Sequence, residues 1–193
     1  MGAAVVRALA AEGVHCVIHY RSSQSEAKVL AKEIGSAGVK AFTVQGDLAE
    51  PANARTIWTE AVAAAGPIDI LINSASIFPE GGLDSLDEGT LTKNVNVNAL
   101  SPFHLSQCIA EAERPGVIIN FIDTMVRDYD KKHVPYHLSK KMLHDLTRMM
   151  AVEYAPNIRV NAVAPGLVLP PEGKDESYLE GLKDSNLLQS YGC

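Results

Sequence analysis

Residues 117–140 read VIINFIDTMVRDYDKKHVPYHLSK, an order that predicts a strand, a polar loop and a helix in turn. The apolar run 117–122 predicts a buried strand that ends at Asp123. Tyr136 and Lys140 lie four residues apart at the start of the helical segment, so both side chains should project from one face. A cation near the phenol would lower the pKa of Tyr136 towards neutral pH, which suits a proton donor to a nascent alkoxide or amide anion. The alternative is that both are surface residues of an ordinary helix.

Segments with strand character and segments with helical character alternate along the chain of 193 residues. Most predicted strands are continuous apolar runs, as in parallel sheets whose two faces are covered by helices. The pattern predicts one α/β domain over residues 1–193, a doubly wound, Rossmann-like parallel sheet with helices on both faces. We expect strands at residues 14–20, 39–45, 68–72, 117–122 and 158–163, and helices at residues 2–12, 23–34, 51–65, 85–111 and 135–154.

Local signals refine three of these helices. Ser23 is a candidate N-cap with Glu26 at the capping-box spacing, and Pro51 suits the first turn of its helix. The helix 135–154 has an apolar side made of Leu138, Met142, Leu143, Leu146 and Met149.

Polar or glycine-containing clusters directly follow five of the predicted strands. They are residues 20–23 (Tyr-Arg-Ser-Ser), Asp47, residues 73–76 (Asn-Ser-Ala-Ser), Asp123, and residues 165–166 (Pro-Gly). Since the carboxyl ends of parallel strands meet at one edge of a sheet, this edge is the predicted ligand site.

Composition narrows the kind of ligand. The net charge is −6 and no basic block occurs, which argues against nucleic acid or an anionic membrane as partner. No apolar run is long enough to span a membrane, and no signal peptide is recognisable. The three cysteines, Cys16, Cys108 and Cys193, lack metal-ligand spacing, so we expect a reduced, cytoplasmic protein without a metal. A small molecule is the expected ligand.

The residues at this edge resemble the motifs of the short-chain dehydrogenase/reductase family over essentially the whole chain. The matching stretches are Asp47-Leu48, DILINSAS at 69–76, Asn98, the Tyr136 and Lys140 pair, and IRVNAVAPG at 158–166. The resemblance implies that Asn98 holds a water in a proton relay and that Lys140 also grips the nicotinamide ribose. It further implies a cofactor site made of Gly2, His19, Tyr20, Arg21, Ser22, Ser23, Asp47, Leu48, Asn73, Ser74, Ala75, Ser76, Tyr136, Lys140, Pro165, Gly166 and Val168.

The sequence resembles one branch of the family, the pteridine reductases, more closely. The family's usual serine, thirteen residues before the tyrosine, is Asp123 here, and NSASIF ends in Phe78. In that branch the aspartate assists protonation of the pterin, the aromatic residue stacks on the pterin ring, and the residue matching Ser76 binds pterin or cofactor. A flat heteroaromatic ring suits such a sandwich, and burial would raise the pKa of Asp123 so that it can carry a proton. The alternatives are a core aromatic residue and an inactive, substituted serine site.

Cofactor preference follows from the charge at the end of the predicted strand 14–20, which matches the second strand of the family. Members that bind NAD usually place an acidic residue there to hold the ribose hydroxyls. Here HYRSS at 19–23 offers Arg21 and hydroxyl donors, which suit a 2′-phosphate. We therefore expect NADP(H), with Arg21 as a solvated loop residue as the alternative.

Both ends of the chain depart from the family pattern. Gly2 matches only the last glycine of the phosphate-binding loop, so the first strand and most of that loop are expected to be missing, as is the last strand. The missing first strand would leave two unpaired edges inside the sheet, and the chain is predicted to be a fragment or the product of a mis-started gene model. Residues 167–188 are predicted to form a substrate lid. The long helices 85–111 and 135–154 match those that pair in family dimers and tetramers, which implies a homodimer or homotetramer.

The function expected from the sequence is NADPH-dependent reduction of a dihydropterin or dihydrofolate-like ring, with Tyr136 and Asp123 as the proton-donating pair and Phe78 and Ser76 as further substrate contacts. Two alternatives remain open. One is a general carbonyl reductase of the 3-oxoacyl type, and the other is a catalytically silent, truncated paralogue that acts as a binding or oligomerisation module.

Overall fold

The computed structural model describes residues 1–170, 173, 175–185 and 189–192. Helices and strands alternate as predicted, and most boundaries differ from the expected ones by one to three residues. The main elements are α1 (Gly2–Ala11), β1 (Cys16–Tyr20), α2 (Gln24–Gly35), β2 (Ala41–Gln45), α3 (Asn53–Ala65), β3 (Ile70–Asn73), α4 (Glu88–Val95), α5 (Ser101–Glu111), β4 (Gly116–Phe121), α6 (Val134–Glu153), β5 (Ile158–Val163) and α7 (Glu176–Glu180).

The five strands form two parallel sheets. One sheet pairs β1 with β2, and the other has the order β3-β4-β5. A cavity of about 1010 Å³ lies between the facing edges of β1 and β3, and its wall includes Cys16, Ile18, Ile70 and Ile72. Within the described residues no strand occupies this position, and this is where the sequence predicts a gap.

Three apolar clusters hold the helices to the strands. One joins α1, β1 and α2 around residues such as Ile18 and Leu30, and another joins β2 to α3 through Val44 and Ile57. The third packs α5 and α6 on β4 and β5, with Ile118 of β4 fully buried at its centre. The β3-β4-β5 sheet therefore provides a packed base for the loops that follow its strands.

Several local predictions need correction. Ser23 is the N-cap residue of α2, as predicted, but its side chain caps no amide, and Glu26 accepts a hydrogen bond from Ser25 in place of a capping box. Pro51 lies in a turn before α3 and outside its first helical turn. The predicted helix 85–111 begins at Glu88, and a π-helical segment, Asn96–Leu100, separates its two α-helical parts.

The apolar side predicted for α6 is divided between two faces. Leu143 is buried and Leu146 packs on the third cluster, whereas Leu138, Met142 and Met149 are exposed. The exposed side chains form a second apolar stripe, which the core does not use.

Of the predicted lid, residues 171, 172, 174 and 186–188 lie outside the described residues. The described part contains α7, whose first turn is capped by the Asp175 carboxylate accepting from the Ser177 amide. Among the described residues, no helix combines the length and the apolar character needed to cross a membrane. Cys16 and Cys108 are buried free thiols, and Cys193 is outside the described residues.

Candidate active site

Tyr136 and Asp123 meet at the carboxyl edge of the β3-β4-β5 sheet. Asp123 lies two residues beyond the end of β4, and Tyr136 lies in the first turn of α6. The Met125 backbone amide donates to one Asp123 carboxylate oxygen at 2.7 Å, which fixes the carboxylate. The Tyr136 hydroxyl donates to the other oxygen at 3.1 Å. One hydrogen bond thus joins the phenol to the carboxylate. The spacing of thirteen residues in the sequence does not by itself predict this contact.

Lys140 occupies the next turn of α6, on the same side as Tyr136. The residue is 3% exposed. Its ammonium group lies 5.8 Å from the centre of the Tyr136 ring and donates to the Phe121 carbonyl at 2.7 Å. Burial lowers the pKa of Lys140 to about 8, although the Asp123 charge partly opposes this. The pair lies on one helix face, as predicted.

The sequence analysis predicts a lowered pKa for Tyr136, and this prediction is wrong, because the residues of the protein itself raise that pKa. Burial raises the pKa of Tyr136, and the charge and hydrogen bond of Asp123 raise it further. A neutral phenol resists ionisation because its negative form would be both desolvated and close to a carboxylate. Tyr136 is therefore held as a proton-bearing phenol.

Asn98 lies in the π-helical segment and is fully buried. Its side-chain carbonyl accepts from the Ile77 amide at 2.9 Å and from the Ser76 hydroxyl at 3.1 Å. Its amide group donates to the Ile77 carbonyl and to the Ser139 hydroxyl of α6. Asn98 thus joins the loop after β3 to α6, and its role in a proton relay stays a prediction.

A second buried polar chain, which the sequence reasoning missed, lies beneath the site. The Asn73 amide donates to Asn120 at 2.8 Å, and Asn120 donates to Thr147 at 2.9 Å. Thr147 in turn donates to the Leu143 carbonyl. An asparagine within the apolar run of β4 was the available signal, because a buried amide requires a hydrogen-bonding partner.

Phe78 is the exposed aromatic residue of the site, with 44% of its surface accessible. Its ring stacks on His133 with centroids 3.9 Å apart and planes within 12°. The Tyr136 ring meets it edge-on, at 4.6 Å and 90°. Phe78 is therefore a partly open ring beside the phenol and is not a core aromatic residue.

His137 follows Tyr136 on α6 and was not singled out from the sequence. It is buried, and neither of its ring nitrogens has a hydrogen-bond partner among the described residues. Burial lowers the pKa of His137, which favours the neutral ring.

The residues predicted to bind the adenosine part of a cofactor lie after β1 and β2. His19 Nε2 donates to the Gly46 carbonyl oxygen at 2.9 Å, because a carbonyl oxygen only accepts. Asp47 accepts from the Ala49 amide, and the Leu48 carbonyl accepts from Ser101. Arg21 is exposed, and its guanidinium has no carboxylate partner within the part of the chain that the structure describes.

The remaining predicted cofactor residues lie at the start of α1 and at or after the ends of β1, β3 and β5. Gly2 at the start of α1 approaches Ser74, since a Cβ built on Gly2 would lie 3.6 Å from the Ser74 hydroxyl oxygen. The amides of a helix N-terminus suit a phosphate group, and cofactor binding by Gly2 stays a prediction. Tyr20 is the last residue of β1. The other predicted residues on the loops after β1, β3 and β5 are Ser22, Ser23, Ala75, Ser76, Pro165, Gly166 and Val168.

A model of the short chain dehydrogenase family matches residues 1–178. The chain belongs to the short chain dehydrogenase family. It is thus an oxidoreductase family member, as the motifs around Tyr136 and Lys140 predict, and its fold is the predicted α/β fold of parallel strands and helices.

Three relatives show the range of the family around this chain. FolM alternative dihydrofolate reductase 1 from Brucella suis, solved with NADP, is 33% identical with a TM-score of 0.92, over 98% of this chain and 77% of its own. An uncharacterised oxidoreductase of Methylorubrum extorquens is 30% identical over 94% of this chain and 73% of its own length. The 3-oxoacyl-[acyl-carrier-protein] reductase FabG of Staphylococcus epidermidis is 28% identical over 98% and 78%. The chain thus spans about three quarters of each relative.

Proposed function

We propose that this short chain dehydrogenase reduces a pterin-type ring, such as a dihydropterin or dihydrofolate, with NADPH. The observation that carries the proposal is the Tyr136 hydroxyl donating to Asp123 at 3.1 Å beside the partly open ring of Phe78. A flat heteroaromatic substrate gains from stacking on Phe78, and its ring nitrogens can bond with a carboxylate. The FolM relative from Brucella suis carries the name of a dihydrofolate reductase, which supports this substrate class.

The cofactor expected from the sequence, NADP(H), is the one present in the Brucella suis relative. The exposed Arg21, with Ser22 and Ser23, would hold its 2′-phosphate, and Asp47 and Leu48 would contact the adenine. The start of α1 near Ser74 would face the phosphates. When bound, NADPH supplies a hydride to a C=N carbon of the substrate.

The residues of the chain supply the proton and hold the substrate. Tyr136, held neutral by burial, would donate its proton to the ring nitrogen as negative charge develops there. Asp123, fixed by the Met125 amide, would orient the substrate and assist this transfer. The buried ammonium of Lys140 would stabilise the phenolate that Tyr136 becomes and would grip the nicotinamide ribose.

A second candidate is reduction of a 3-oxoacyl thioester or a similar ketone. It is favoured by the identity with FabG of Staphylococcus epidermidis, which extends over 98% of this chain. It is disfavoured by Asp123, which stands where the family usually has a serine whose hydroxyl can polarise a ketone oxygen. A silent binding module is the third alternative.

The test compares NADPH oxidation by the wild-type protein with dihydrobiopterin, dihydrofolate and acetoacetyl-coenzyme A. We expect turnover of the pterins and its loss, by at least about 100-fold, in Asp123→Ser and Asp123→Asn. Asp128→Asn, an exposed aspartate of the same loop, is the matched control.

Each other result selects an alternative. Turnover of the thioester alone, or pterin turnover that Asp123→Ser leaves unchanged, would overturn the proposal in favour of a carbonyl reductase. Failure to bind NADPH, measured by its fluorescence, would favour the silent module.

A further inference from the structure

The loop that joins β4 to α6 delivers an aromatic ring to the site that no predicted motif contains. His133, the residue just before α6, lies flat on Phe78 with ring centroids 3.9 Å apart. Its side chain is 13% exposed, so the stack is largely shielded from water. A parallel stack at this distance covers most of one face of Phe78.

The His133 ring is held from its far side by a carboxylate. Its Nδ1 lies 2.5 Å from an Asp130 carboxylate oxygen, and since an ionised carboxylate only accepts, Nδ1 is the donor. The Lys132 amide donates to the other Asp130 oxygen at 2.9 Å, which fixes the carboxylate in turn. These contacts lower the pKa of Asp130, with the Lys132 amide as the largest cause.

The backbone of His133 is also fixed to the loop that carries Phe78. His133 and Gly81 form a parallel β-bridge, with the Gly81 amide donating to the Lys132 carbonyl at 2.6 Å and the Val134 amide donating to Gly81 at 2.9 Å. A Cβ on Gly81 would lie 3.3 Å from Pro135, so a glycine allows the two loops to approach this closely. His133 is therefore a fixed wall, since both its ring and its backbone are tied.

Fixing one face of Phe78 determines what its accessible part can receive. Phe78 is still 44% exposed although His133 lies flat on its ring and the Tyr136 ring stands perpendicular to it at 4.6 Å. Part of Phe78 therefore remains accessible beside the Tyr136 ring. We propose that His133 is a positioning residue for substrate specificity, which holds the Phe78 ring so that its accessible part receives a planar heteroaromatic substrate beside Tyr136 and Asp123.

This proposal rests on the proposed function and deepens it, because it explains selection of flat rings over open-chain carbonyl compounds. A ring held in place loses no rotational freedom when the substrate stacks on it, so the stacking is more favourable. The effect should appear in the KM for a flat substrate and much less in kcat, because His133 has no contact with the phenol hydroxyl in this structure.

Two substitutions separate the ring from its hydrogen bond. His133→Phe keeps a ring for the stack but loses the bond to Asp130, whereas His133→Asn keeps a donor and loses the ring. We expect His133→Asn to raise the KM for dihydrobiopterin about 3- to 10-fold, the range of an aromatic pair, and His133→Phe to restore most of the affinity. His144→Asn, at a histidine of α6 that also has an aspartate neighbour, is the matched control.

Two results would overturn the role proposed for His133 without overturning the proposed function. One is pterin turnover with the same KM in wild type and His133→Asn. The other is an equal rise of KM for dihydrobiopterin and for acetoacetyl-coenzyme A, which would indicate a merely structural residue at the start of α6.

Calorimetry of dihydrobiopterin binding to the NADPH complex distinguishes failure of the His133 proposal from failure of the proposed function. Binding that weakens in His133→Asn, without turnover in the wild type, would overturn the proposed reaction and support the role of His133. Absence of dihydrobiopterin binding in the wild type would overturn both.

Discussion

Lys140 places an ammonium group where water scarcely reaches it, and it is compensated by a hydrogen bond to the Phe121 carbonyl and by the charge of Asp123. A buried charge of this kind costs stability, and the lowering of its pKa from 10.5 to about 8 expresses that cost. The same desolvated cation is what would stabilise the phenolate of Tyr136 during turnover. Burial of Lys140 therefore lowers the stability of the fold while it favours the proposed catalytic role of this residue.

The first prediction follows from the sign of this shift. The folded state releases the Lys140 proton near pH 8 and the unfolded state near pH 10.5, so the cost is present below pH 8 and is relieved as the pH rises through this window. The free energy of unfolding of the wild type should thus rise relative to that of Lys140→Met between pH 7 and pH 10.5, by at most about 3 kcal/mol. Urea denaturation of both proteins across this range measures the difference.

Groups that titrate in both proteins contribute equally to their free energies of unfolding, so this contribution cancels in the difference. Lys93→Met, an exposed lysine of α4, is the control for loss of a surface lysine. A difference between wild type and Lys140→Met that stays constant with pH would contradict the prediction.

At the scale of single elements, the loop that carries Asp47 between β2 and α3 packs closely on the core at Gly46. Gly46 follows β2 directly, and a Cβ on it would lie 2.4 Å from two atoms of the buried Ile57 side chain. Gly46→Ala should therefore lower the free energy of unfolding by about 1–3 kcal/mol, because Ile57 has to leave its position in the core. Urea denaturation measures this loss.

Two variants test that cause. Gly35→Ala at the end of α2 is the matched control, since a Cβ there meets nothing within 4 Å. The loss caused by Gly46→Ala should shrink when Ile57→Ala is also present, because the space for the new methyl group is then available. Purely additive losses would exclude the contact with Ile57 as the cause.

The elements differ in how far the sequence determines them locally. Runs such as 117–122 predict β4 because a strand buried on both faces needs continuous apolar residues. The π-helical turn at Asn98 and the stack of His133 on Phe78 were not predicted, since both depend on contacts between segments far apart in the chain. The Tyr136 pKa was predicted in the wrong direction because spacing places Lys140 nearby but carries no information on burial.

At the scale of the whole molecule, α6 leaves an apolar surface that the core does not cover. Leu138, Met142, Met149 and Val152 are exposed on this helix, the last two by 65% and 80%. Exposed apolar side chains on one helix favour association, and we propose that they contribute to the homodimer or homotetramer that the family resemblance implies. We expect light scattering after size-exclusion chromatography to show a dimer or larger oligomer for the wild type, and a smaller species for Met149→Lys combined with Val152→Lys.

Exposed positions tolerate such substitutions, so the variant should keep its helical circular dichroism. Val29→Lys, at a position of α2 that is 68% exposed, is the matched control and should leave the oligomer unchanged. A wild type that remains monomeric at all concentrations would contradict the prediction.

The cavity between the two sheets gives the last prediction, because β1 and β3 each present an edge to it. The edges of β1 and β3 face it with backbone groups that no described strand pairs, and a sheet edge of this kind can accept a further strand. A five-residue strand is about 17 Å long, takes up about 4.8 Å of a sheet and about 10 Å of its thickness, and so occupies on the order of 800 Å³. The cavity of about 1010 Å³ can hold one.

The start of α1 lies beside Ser74, so a strand that ends at the same edge can reach Met1 through a short loop. We therefore expect a five-residue Val- and Ile-rich segment, joined ahead of Met1 by a glycine-rich loop, to raise the free energy of unfolding by at least about 2 kcal/mol. The matched control carries the same loop with proline and lysine in place of the apolar residues, since proline cannot donate to the ladder. Urea denaturation compares the two, and equal midpoints would mean that the cavity between β1 and β3 does not accept a strand.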